Sequence, residues 1–231
     1  MAELLADHTT FRIGGPARAW VEATTERQIV DTIRAADAAG EPLLVLSGGS
    51  NLLVSDAGFP GTVLKIATRG VSLEGSFCEA DADAGSPLGE SAACGGYLVT
   101  AAAGESWDDL VAYAVAQELV GIEALSGIPG LVGSTPVQNV GAYGQEVAQT
   151  IWSVRTYDRT AGALKTFANA DCGFAYRHSR FKAEPGRYVV LEVTFQLTQG
   201  SLSAPIRFGE LAGRLGLGGG GRAPLALVRD T

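Results

Sequence analysis

The sequence has few of the residues that build metal centres or disulfide frameworks. Its three cysteines, Cys78, Cys94 and Cys172, are odd in number and lack C-x-x-C spacing. Such a set disfavours a disulfide framework or a zinc site and is typical of the reducing cytoplasm. Two histidines, His8 and His178, are too few for a histidine-rich metal centre. We therefore expect a cytoplasmic protein without a bound metal.

Basic residues are not in excess, and long apolar runs are missing. The chain has 17 Lys and Arg against 25 Asp and Glu, a formal net charge of −8. Nucleic acids and membrane surfaces attract positively charged proteins, so we expect neither as a partner. No stretch approaches the roughly 20 apolar residues of a membrane span. The N-terminal M-A-E-L-L-A-D-H lacks the basic and apolar regions of a secretory signal.

With 231 residues, 46% hydrophobic and 18% charged, the chain suits one large or two small domains.

The first third of the chain is patterned as a strand–helix–strand unit. A capping box at Thr25 and Gln28 predicts a helix to Ala39, ended by Gly40. The continuous apolar run L-L-V-L is typical of a strand buried on both faces. Strands are predicted at 19–23, 43–46, 51–54 and 62–66.

The rest of the chain predicts further strands, a second helix and two irregular segments. Ser106 followed by Asp109 predicts the start of the second helix. Residues 126–144, punctuated by glycine and proline, are too irregular for one regular element. Residues 72–96, rich in Gly, Ala, Ser and Asp, are predicted to be a long surface excursion. Strands are predicted at 97–103, 152–157 and 188–197, with a short helix-like stretch in the tail.

Two glycine-rich segments are candidate binding sites. The first is S-G-G-S-N at 47–51, directly after a predicted strand. Glycines let backbone N–H groups approach a pyrophosphate, although an ordinary tight turn is an equal alternative. The second is G-I-P-G-L-V-G-S-T-P-V-Q-N-V-G-A-Y-G-Q-E at 127–146. A flat polar heterocycle would suit this segment, and the alternative is a long surface loop.

A third candidate is the basic cluster Y-R-H-S-R-F-K at 176–182. Arg177 could make a bidentate, charge-assisted pair with a carboxylate or phosphate, whereas the alternative is a solvated basic face. His178 fits a surface or capping role better than a catalytic one. The G-x-G-x-x-G pattern at 216–221 is interpreted as a turn, because no strand is predicted before it and no βαβ unit after it.

Taken together, these motifs resemble one family, the UDP-N-acetylenolpyruvoylglucosamine reductases (MurB). H-T-T-F-R-I-G-G-P-A at 8–17 is similar to the family's N-terminal signature. The segments S-G-G-S-N-L-L-V-S-D-A-G-F-P-G at 47–61 and F-A-Y-R-H-S-R-F-K at 174–182 also match. The block at 127–146 matches nearly letter for letter and is the most specific. The match covers roughly residues 8–230.

The resemblance implies a fold class and a reaction. The fold is α+β, the two-lobed FAD-binding fold of the vanillyl-alcohol-oxidase and p-cresol-methylhydroxylase type. Residues 1–68 would form the first lobe, 69–199 the second, and 200–231 the beginning of an incomplete substrate-binding domain. NADPH would reduce non-covalently bound FAD, which would then reduce the small-molecule UDP-sugar substrate, UDP-N-acetylglucosamine enolpyruvate, to UDP-N-acetylmuramate for peptidoglycan. We expect a monomer.

The resemblance also implies roles for individual residues. Arg177 would be the catalytic arginine on the carboxylate side and would bind substrate. Tyr143 would also contact the substrate. The residues expected to bind FAD are Ser47, Gly48, Gly49, Ser50, Asn51, Leu52, Ile128, Pro129, Gly133, Ser134, Asn139 and Gly141.

The sequence departs from the family pattern in its last part. The family's proton-donating serine motif, G-S-F-F-x-N-P, and its C-terminal glutamate have no counterpart before the final V-R-D-T at 228–231. Phe208 stands where one subgroup has a substrate-contacting tyrosine. Because proton donors contribute about 10²–10⁴ in rate, we expect FAD binding to be retained and full turnover by a C-terminally truncated chain to be impaired.

Two other functions stay open on the sequence. The first is a flavin oxidase of the same superfamily. Many such oxidases attach flavin through His or Cys, and neither residue occurs in the two glycine-rich segments. The second is a non-catalytic flavin-binding module that acts with a separate chain.

Overall fold

Two β-sheets and a short hairpin form the framework of the protein. The structure is a computed structural model that describes residues 3–77 and 96–231. In the described part of the chain, no helix is both long and apolar enough to span a bilayer. Cys78 and Cys94 lie outside the described residues, as does most of the predicted excursion at 72–96.

The first sheet is parallel and has three strands. Its elements are β1 (Ala17–Ala23), α1 (Glu26–Ala39), β2 (Leu43–Leu46) and β3 (Phe59–Ile66), with strand order β1-β3-β2. Parallel strands need crossover connections, and α1 connects the two edge strands, β1 and β2, which both pair with β3. The central strand is β3, so the strand predicted to be buried on both faces, β2, is instead a half-buried edge strand.

Local sequence signals account for α1. The side chain of Thr25 accepts a hydrogen bond from the N–H of Gln28, and the Gln28 side chain accepts one from the N–H of Thr25, which confirms the capping box. Gly40 ends the helix in the left-handed conformation with φ 62°. Ile29 and Ile33 lie one turn apart and are fully buried on the face that packs against the sheet.

The prediction of a strand at 51–54 is wrong. These residues form an irregular loop between β2 and β3, and Leu53 in its middle is 74% exposed. The apolar letters L-L-V mimic a strand, but no neighbouring strand pairs with them. The loop therefore connects the end of β2 to the start of β3 over the surface.

The elements that follow β3 form a second sheet, the helices between its strands and a short hairpin, β7–β8. They are β4 (Val71–Phe77), β5 (Gly96–Ala102), α2 (Trp107–Ala116), β6 (Leu119–Val120), β7 (Gly141–Ala142), β8 (Gln145–Glu146), β9 (Ile151–Asp158), β10 (Ala163–Ala168), α3 (Arg180–Ala183) and β11 (Tyr188–Gln199). The second sheet is antiparallel, with strand order β10-β9-β11-β5-β4 and β6 pairing with β11. The long strand β11 is central and pairs with both β5 and β9.

Four of these elements, β5, α2, β9 and β11, agree with the sequence, and the other six were not predicted. The N-cap at Ser106, which accepts from the N–H of Asp109, confirms the start of α2. The excursion prediction is wrong for 72–77, which belong to β4. Strand β10 was not predicted, because it pairs only with β9 at the sheet edge and all but one of its residues are exposed.

One apolar core joins the two sheets. Buried residues of α1, such as Ile33, belong to the same cluster as Val154 and Tyr157 of β9. Two ion pairs also link α1 to this region: Glu26 pairs with Arg155 of β9, and Asp37 pairs with Arg159, which directly follows β9. The α1 helix therefore fixes the first sheet against the second.

The C-terminal segment forms a small separate cluster. It contains α4 (Gly209–Arg214) and α5 (Leu225–Asp230), whose apolar residues pack with Ala124. The glycines at 216–221 form turns between these two helices, as the sequence predicts. Arg229 makes a bidentate ion pair with Asp108 at the start of α2.

Candidate functional site

A cleft of about 590 Å³ lies where both sheets approach the N-terminal segment. Its walls include residues 7–12, the loop after β2, the end of β3 and, from the second sheet's side, Gly104 and Leu131. Ligands of open sheets with parallel strands commonly bind beyond the carboxyl ends of those strands. The position of the cleft follows this rule.

The two glycine-rich segments meet at this cleft. A Cβ placed on Gly48 would lie 2.8 Å from the Cα of Gly130, closer than real Cβ contacts come. Gly130 also has φ 126°, a conformation that side chains rarely adopt. The two segments predicted as candidate sites are thus in backbone contact, although 82 positions separate these two glycines.

The N-terminal segment packs against the first glycine-rich segment, the loop at 47–51. The N–H of Thr10 donates to the carbonyl of Gly49 over 3.2 Å, and a Cβ on Gly49 would collide with the carbonyl of His8. Gly49 has φ 64°, so both its backbone conformation and its surroundings require glycine. Among residues 3–77 and 96–231, no acceptor pairs with the backbone N–H groups of 48–51.

Ser47 carries an unpaired buried hydroxyl. Within the described residues, its Oγ is the buried side-chain polar atom that has no hydrogen-bond partner. Leaving such a group unpaired costs about 1–3 kcal/mol, and it calls for a ligand or another explanation. Because Ser47 lines the cleft together with Gly48, its hydroxyl is suited to donate to a bound anionic group.

Cationic side chains surround the cleft in an otherwise acidic protein. Arg12, Lys65 and Arg69 all line it. Lys65 lies 3.8 Å from Glu22, and Arg69 lies 3.2 Å from Glu105, so both cations are partly balanced. The sequence motifs alone did not predict a site role for these residues. Their positions in the N-terminal motif and directly at the end of a parallel strand are the signals that could have found them.

The glycine-rich segment 127–146 is hydrogen-bonded to the backbone that directly follows β5 of the second sheet. The N–H of Val132 donates to the carbonyl of Glu105, and that of Gly133 donates to the carbonyl of Ala103. A Cβ on Gly133 would lie 2.5 Å from the Cβ of Ala103, so this glycine permits close packing. The hydroxyl of Ser134 donates to the carbonyl of Leu131 over 2.7 Å. These hydrogen bonds and the close packing at Gly133 therefore hold residues 131–134 rigidly against the second sheet.

Ile128 and Pro129 precede these rigidly held residues. Ile128 is half-buried against the main core, and Pro129 is exposed. The N–H of Gly127 donates to Asp108, the same carboxylate that pairs with Arg229. These hydrogen bonds, that of Arg229 first, hold the pKa of Asp108 below its usual value.

Asn139 is buried, and the protein itself satisfies its side chain. Its Nδ2 donates to Glu146 Oε2 (2.8 Å) and to the carbonyl of Ala175 (3.1 Å), and its Oδ1 accepts from the N–H of Ala148 (3.0 Å). Both N–H groups of the amide are engaged, so donating one of them to a cofactor would require one of these bonds to break. The structure shows Asn139 joining the segment 127–146 to Ala175, next to the basic cluster.

Arg177 lies on an exposed turn beside the β7–β8 hairpin. Its guanidinium donates to the carbonyl of Gly141 over 2.7 Å, and in the described part of the chain it forms no ion pair. The remaining N–H groups of the guanidinium are therefore free to bind an anion. The contact brings together Gly141, which is expected to bind FAD, and Arg177, which is expected to bind substrate.

Backbone strain concentrates in the same region. Arg177, Asn139 and Tyr143 have φ of 51°, 46° and 50°, and the described part of the chain has only two other non-glycine residues with positive φ, Arg12 and Glu118. Such conformations cost on the order of 1–3 kcal/mol each and cluster at functional sites. Four of these five residues belong to the three motifs or line the cleft.

Tyr143 and Phe208 form an exposed aromatic pair. Their ring centroids are 5.6 Å apart in an edge-on arrangement, and the side chains are 47% and 42% exposed. Tyr143 lies at the tip of the β7–β8 hairpin, so the pair joins the hairpin to the C-terminal segment.

The other predicted residues of the loop after β2 directly follow Gly49: they are Ser50, Asn51 and Leu52. The Oγ of Ser50 is 3.6 Å from a Cβ placed on Gly130, so this residue also lies next to the second glycine-rich segment.

No cluster of three or more metal-ligating side chains occurs among residues 3–77 and 96–231. His8 lines the cleft but stacks on Trp20 at 4.2 Å and shares a 2.7 Å hydrogen bond with Glu3. Its ring is therefore engaged within the protein.

Comparison with known proteins agrees with this geometry. The family model described as FAD binding domain matches residues 17–167. A UDP-N-acetylenolpyruvoylglucosamine reductase of Cutibacterium acnes is 53% identical over 227 residues, 98% of this chain and 56% of the relative. One of Streptomyces coelicolor is 50% identical over 228 residues, 98% of this chain and 54% of the relative. The chain thus spans about half the length of the curated relatives it matches.

Solved structures show the same fold. UDP-N-acetylenolpyruvylglucosamine reductase (MurB) from Thermus caldophilus superposes with a TM-score of 0.62 and 28% identity, covering 86% of this chain and 62% of that one. A VAO-type flavoprotein from Myceliophthora thermophila, at 21% identity and a TM-score of 0.55, covers 78% of this chain and 31% of that one and shares the fold alone. The predicted α+β FAD-binding fold class is confirmed. The chain belongs to the FAD binding domain family, and its resemblance to the UDP-N-acetylenolpyruvoylglucosamine reductases is confirmed.

Proposed function

We propose that FAD binds non-covalently in the cleft and serves the NADPH-dependent reduction of UDP-N-acetylglucosamine enolpyruvate to UDP-N-acetylmuramate. The observation that carries this proposal is the backbone contact between Gly48 and Gly130, beside the unpaired hydroxyl of Ser47. Two loops that present glycine backbone to one cleft suit a dinucleotide. The relatives that match most of this chain are named for this reductase.

The donor set around the cleft fits the pyrophosphate of FAD. Ser47, Gly48, Gly49, Ser50 and Asn51 would supply N–H and hydroxyl donors, with Leu52 behind them, because phosphates bind where such groups converge. Arg12 and Lys65 would add positive charge. The half-buried Ile128 and the rigidly held Gly133 and Ser134 would then line the flavin, together with Pro129 and Gly141.

Arg177 would bind the carboxylate of the substrate. Bound FAD would supply the hydride-transfer chemistry that links NADPH to the enolpyruvyl group, and addition of a proton at the α-carbon would complete the reduction. Hydride addition places negative charge on the enolpyruvyl carboxylate, and a preorganised guanidinium stabilises that charge. Arg177 is exposed, unpaired with any acid of the described chain, and held by the carbonyl of Gly141. Tyr143, on the same hairpin, would contact the substrate beside it.

The proposed organisation is a monomer with two FAD-binding lobes. We assign 1–68 to the first lobe, 69–199 to the second and 200–231 to the beginning of a substrate-binding domain. The separation of the two sheets between β3 and β4 and the small C-terminal cluster support this division.

A flavin oxidase is the second candidate. The fold it shares with a VAO-type flavoprotein favours it, and the presence of His8 in the cleft adds a possible attachment point for flavin. The stacking of His8 on Trp20 and its hydrogen bond to Glu3 argue against attachment. Denaturing the protein by heat separates the two candidates, since non-covalent flavin remains in the supernatant and covalent flavin precipitates with the chain.

The central experiment is to record the flavin absorbance of the purified protein and then titrate it anaerobically with NADPH and the enolpyruvyl substrate. We expect FAD binding, slow bleaching by NADPH and slow recovery of the oxidised spectrum on addition of substrate, because the family's proton-donating serine has no counterpart in this sequence. A protein that stays colourless after incubation with FAD would refute the proposal. A flavin spectrum that the enolpyruvyl substrate neither perturbs on binding nor restores after bleaching would refute the substrate while leaving a flavoprotein.

A matched pair of glycine variants locates the binding site. Gly48→Val should weaken FAD binding at least about 100-fold, because a side chain at 48 forces the backbone at Gly130 to move and the two loops apart. Gly218→Val introduces the same side chain where a Cβ meets nothing within 4 Å. The control should bind FAD like the unsubstituted protein, as measured by quenching of FAD fluorescence. Equal affinities of the two variants would place FAD elsewhere.

A further inference from the structure

Arg177 projects from a tight turn that has little support of its own. The N–H of Ala175 donates to the carbonyl of His178 (3.1 Å), and the N–H of His178 donates back to Ala175 (3.0 Å). All four residues of the turn, 175–178, are exposed, and Tyr176 is 81% exposed. Segments with few buried contacts open at low free-energy cost. Something beyond the turn must therefore keep Arg177 in place.

The segment 127–146 anchors both ends of this turn. At one end, the carbonyl of Ala175 accepts from Nδ2 of Asn139 over 3.1 Å. At the other end, the hydroxyl of Ser179 donates to the carbonyl of Val137 over 2.5 Å. Asn139 is 1% exposed and Ser179 is fully buried, so water competes weakly for either bond.

Each anchor is itself held in place. Asn139 also bonds Glu146 and the N–H of Ala148, which ties it to the β7–β8 hairpin. Ser179 also caps α3 by accepting from the N–H of Lys182, whose Nζ donates to the carbonyl of Arg177 over 2.9 Å. The turn, the hairpin and α3 thus form one connected hydrogen-bond network around Arg177.

We propose that Asn139 and Ser179 are positioning residues, which hold Arg177 against Gly141 of the β7–β8 hairpin so that its guanidinium meets the substrate carboxylate. This inference rests on the proposed function of Arg177. It assigns to Asn139 a structural task in place of the direct cofactor contact expected from the sequence. Arg177 adopts φ 51°, and the two anchors oppose relaxation of that strained conformation.

The test compares Asn139→Gly and Ser179→Ala with the control Asn169→Gly. Glycine at 139 adopts φ 46° without strain, so that variant isolates the lost hydrogen bonds. Asn169 makes equivalent bonds, with Nδ2 donating to the carbonyls of Ala148 (2.8 Å) and Ile151 (2.7 Å), and none to the turn. Each FAD-loaded variant is titrated with UDP-N-acetylglucosamine enolpyruvate, and flavin absorbance reports binding.

We expect Asn139→Gly and Ser179→Ala to weaken substrate binding about tenfold or more, since small misplacements of a binding group can cost up to about 100-fold. FAD affinity should stay within about twofold, because neither residue lines the cleft. In an Arg177→Ala background, Asn139→Gly should weaken substrate binding no further, as expected for residues that act through one another. An equal loss in both backgrounds, or a loss as large in Asn169→Gly, would overturn the inference.

Amide hydrogen exchange keeps the test independent of the reaction. Exchange at 175–179 should accelerate in Asn139→Gly and Ser179→Ala and not in Asn169→Gly. If the unsubstituted protein binds FAD but not the enolpyruvyl substrate, the proposed function fails while exchange still reports on anchoring. Unchanged exchange in both variants would overturn the inference whatever the substrate proves to be.

Discussion

Replacing Ser47 by alanine should have opposite effects on the stability of the cofactor-free protein and on FAD binding. The substitution removes one hydroxyl that is buried and unpaired within the described chain. In the cofactor-free protein the hydroxyl contributes a desolvation cost without a hydrogen bond. With FAD bound, the same hydroxyl would donate to a charged phosphate oxygen.

The expected magnitudes follow from the state of this hydroxyl. An unsatisfied buried polar group costs about 1–3 kcal/mol, so its removal should leave the unfolding free energy unchanged or raise it by up to that amount. For a chain of this size, each kcal/mol corresponds to roughly 2–4 °C in Tm. A hydrogen bond to a charged group contributes about 1.5–3 kcal/mol, so the Kd for FAD should rise roughly 10- to 150-fold.

Ser203 provides the matched control. It is fully buried like the Ser47 hydroxyl, but its Oγ donates to the carbonyl of Ala204 (2.8 Å) and accepts from the N–H of Ala223 (3.2 Å). Ser203→Ala leaves that N–H without its partner and should lower the unfolding free energy by about 1–3 kcal/mol. It should leave FAD affinity unchanged, because Ser203 does not line the cleft.

Thermal unfolding of the cofactor-free protein gives the change in unfolding free energy for each variant. Fluorescence titration with FAD gives its Kd. The reasoning is refuted if Ser47→Ala binds FAD as tightly as the unsubstituted protein. It is also refuted if Ser47→Ala destabilises the cofactor-free protein as much as Ser203→Ala does, since the hydroxyl would then have an internal partner.

Two further predictions concern titration and reactivity. Hydrogen bonds from the guanidinium of Arg187, and then from the N–H groups of Ala161 and Thr160, lower the pKa of buried Asp158. Ionised Asp158 therefore stabilises the folded protein fully above its unfolded pKa of about 3.9. This stabilisation is lost as the pH falls from there through the lower pKa of the folded state. The stability difference between the unsubstituted protein and Asp158→Asn in urea unfolding should therefore shrink below about pH 4, and a constant difference down to pH 2 would contradict this. Burial raises the pKa of Cys172 to about 12, so peptide mapping after alkylation at pH 8 should find it unmodified until the protein is unfolded.

Local signals made the two longest helices, α1 and α2, predictable. The capping box of Thr25 and Gln28 and the N-cap of Ser106 each lie within four residues of the helix start that they specify. Such hydrogen bonds depend on neighbouring positions, so sequence alone contains them. Buried strands such as β11 were equally visible, because their apolar residues alternate or run together.

Edge strands and long-range contacts were not predictable in this way. Strand β10 buries one residue of six, so its stability comes from pairing with β9 rather than from an apolar pattern. The contact between Gly48 and Gly130 depends on how two sheets pack, which no local pattern states. For the same reason the sequence predicted Asn139 as a functional residue but not the protein atoms that its side chain binds.

The shared core, more than the ion pairs, keeps the two glycine loops together. The pairs from α1 to Arg155 and Arg159 are partly exposed, and such pairs contribute about 0–1 kcal/mol each. Ile29 and Ile33 of the same helix are fully buried, and burying each contributes about 1.5–3 kcal/mol. Because these side chains belong to one cluster with the core of the second sheet, separating the loops would expose apolar surface at both. Packing therefore preorganises the cleft that we propose for FAD, where backbone N–H groups and a few nearby cations would act on an anion at short range although the protein is acidic.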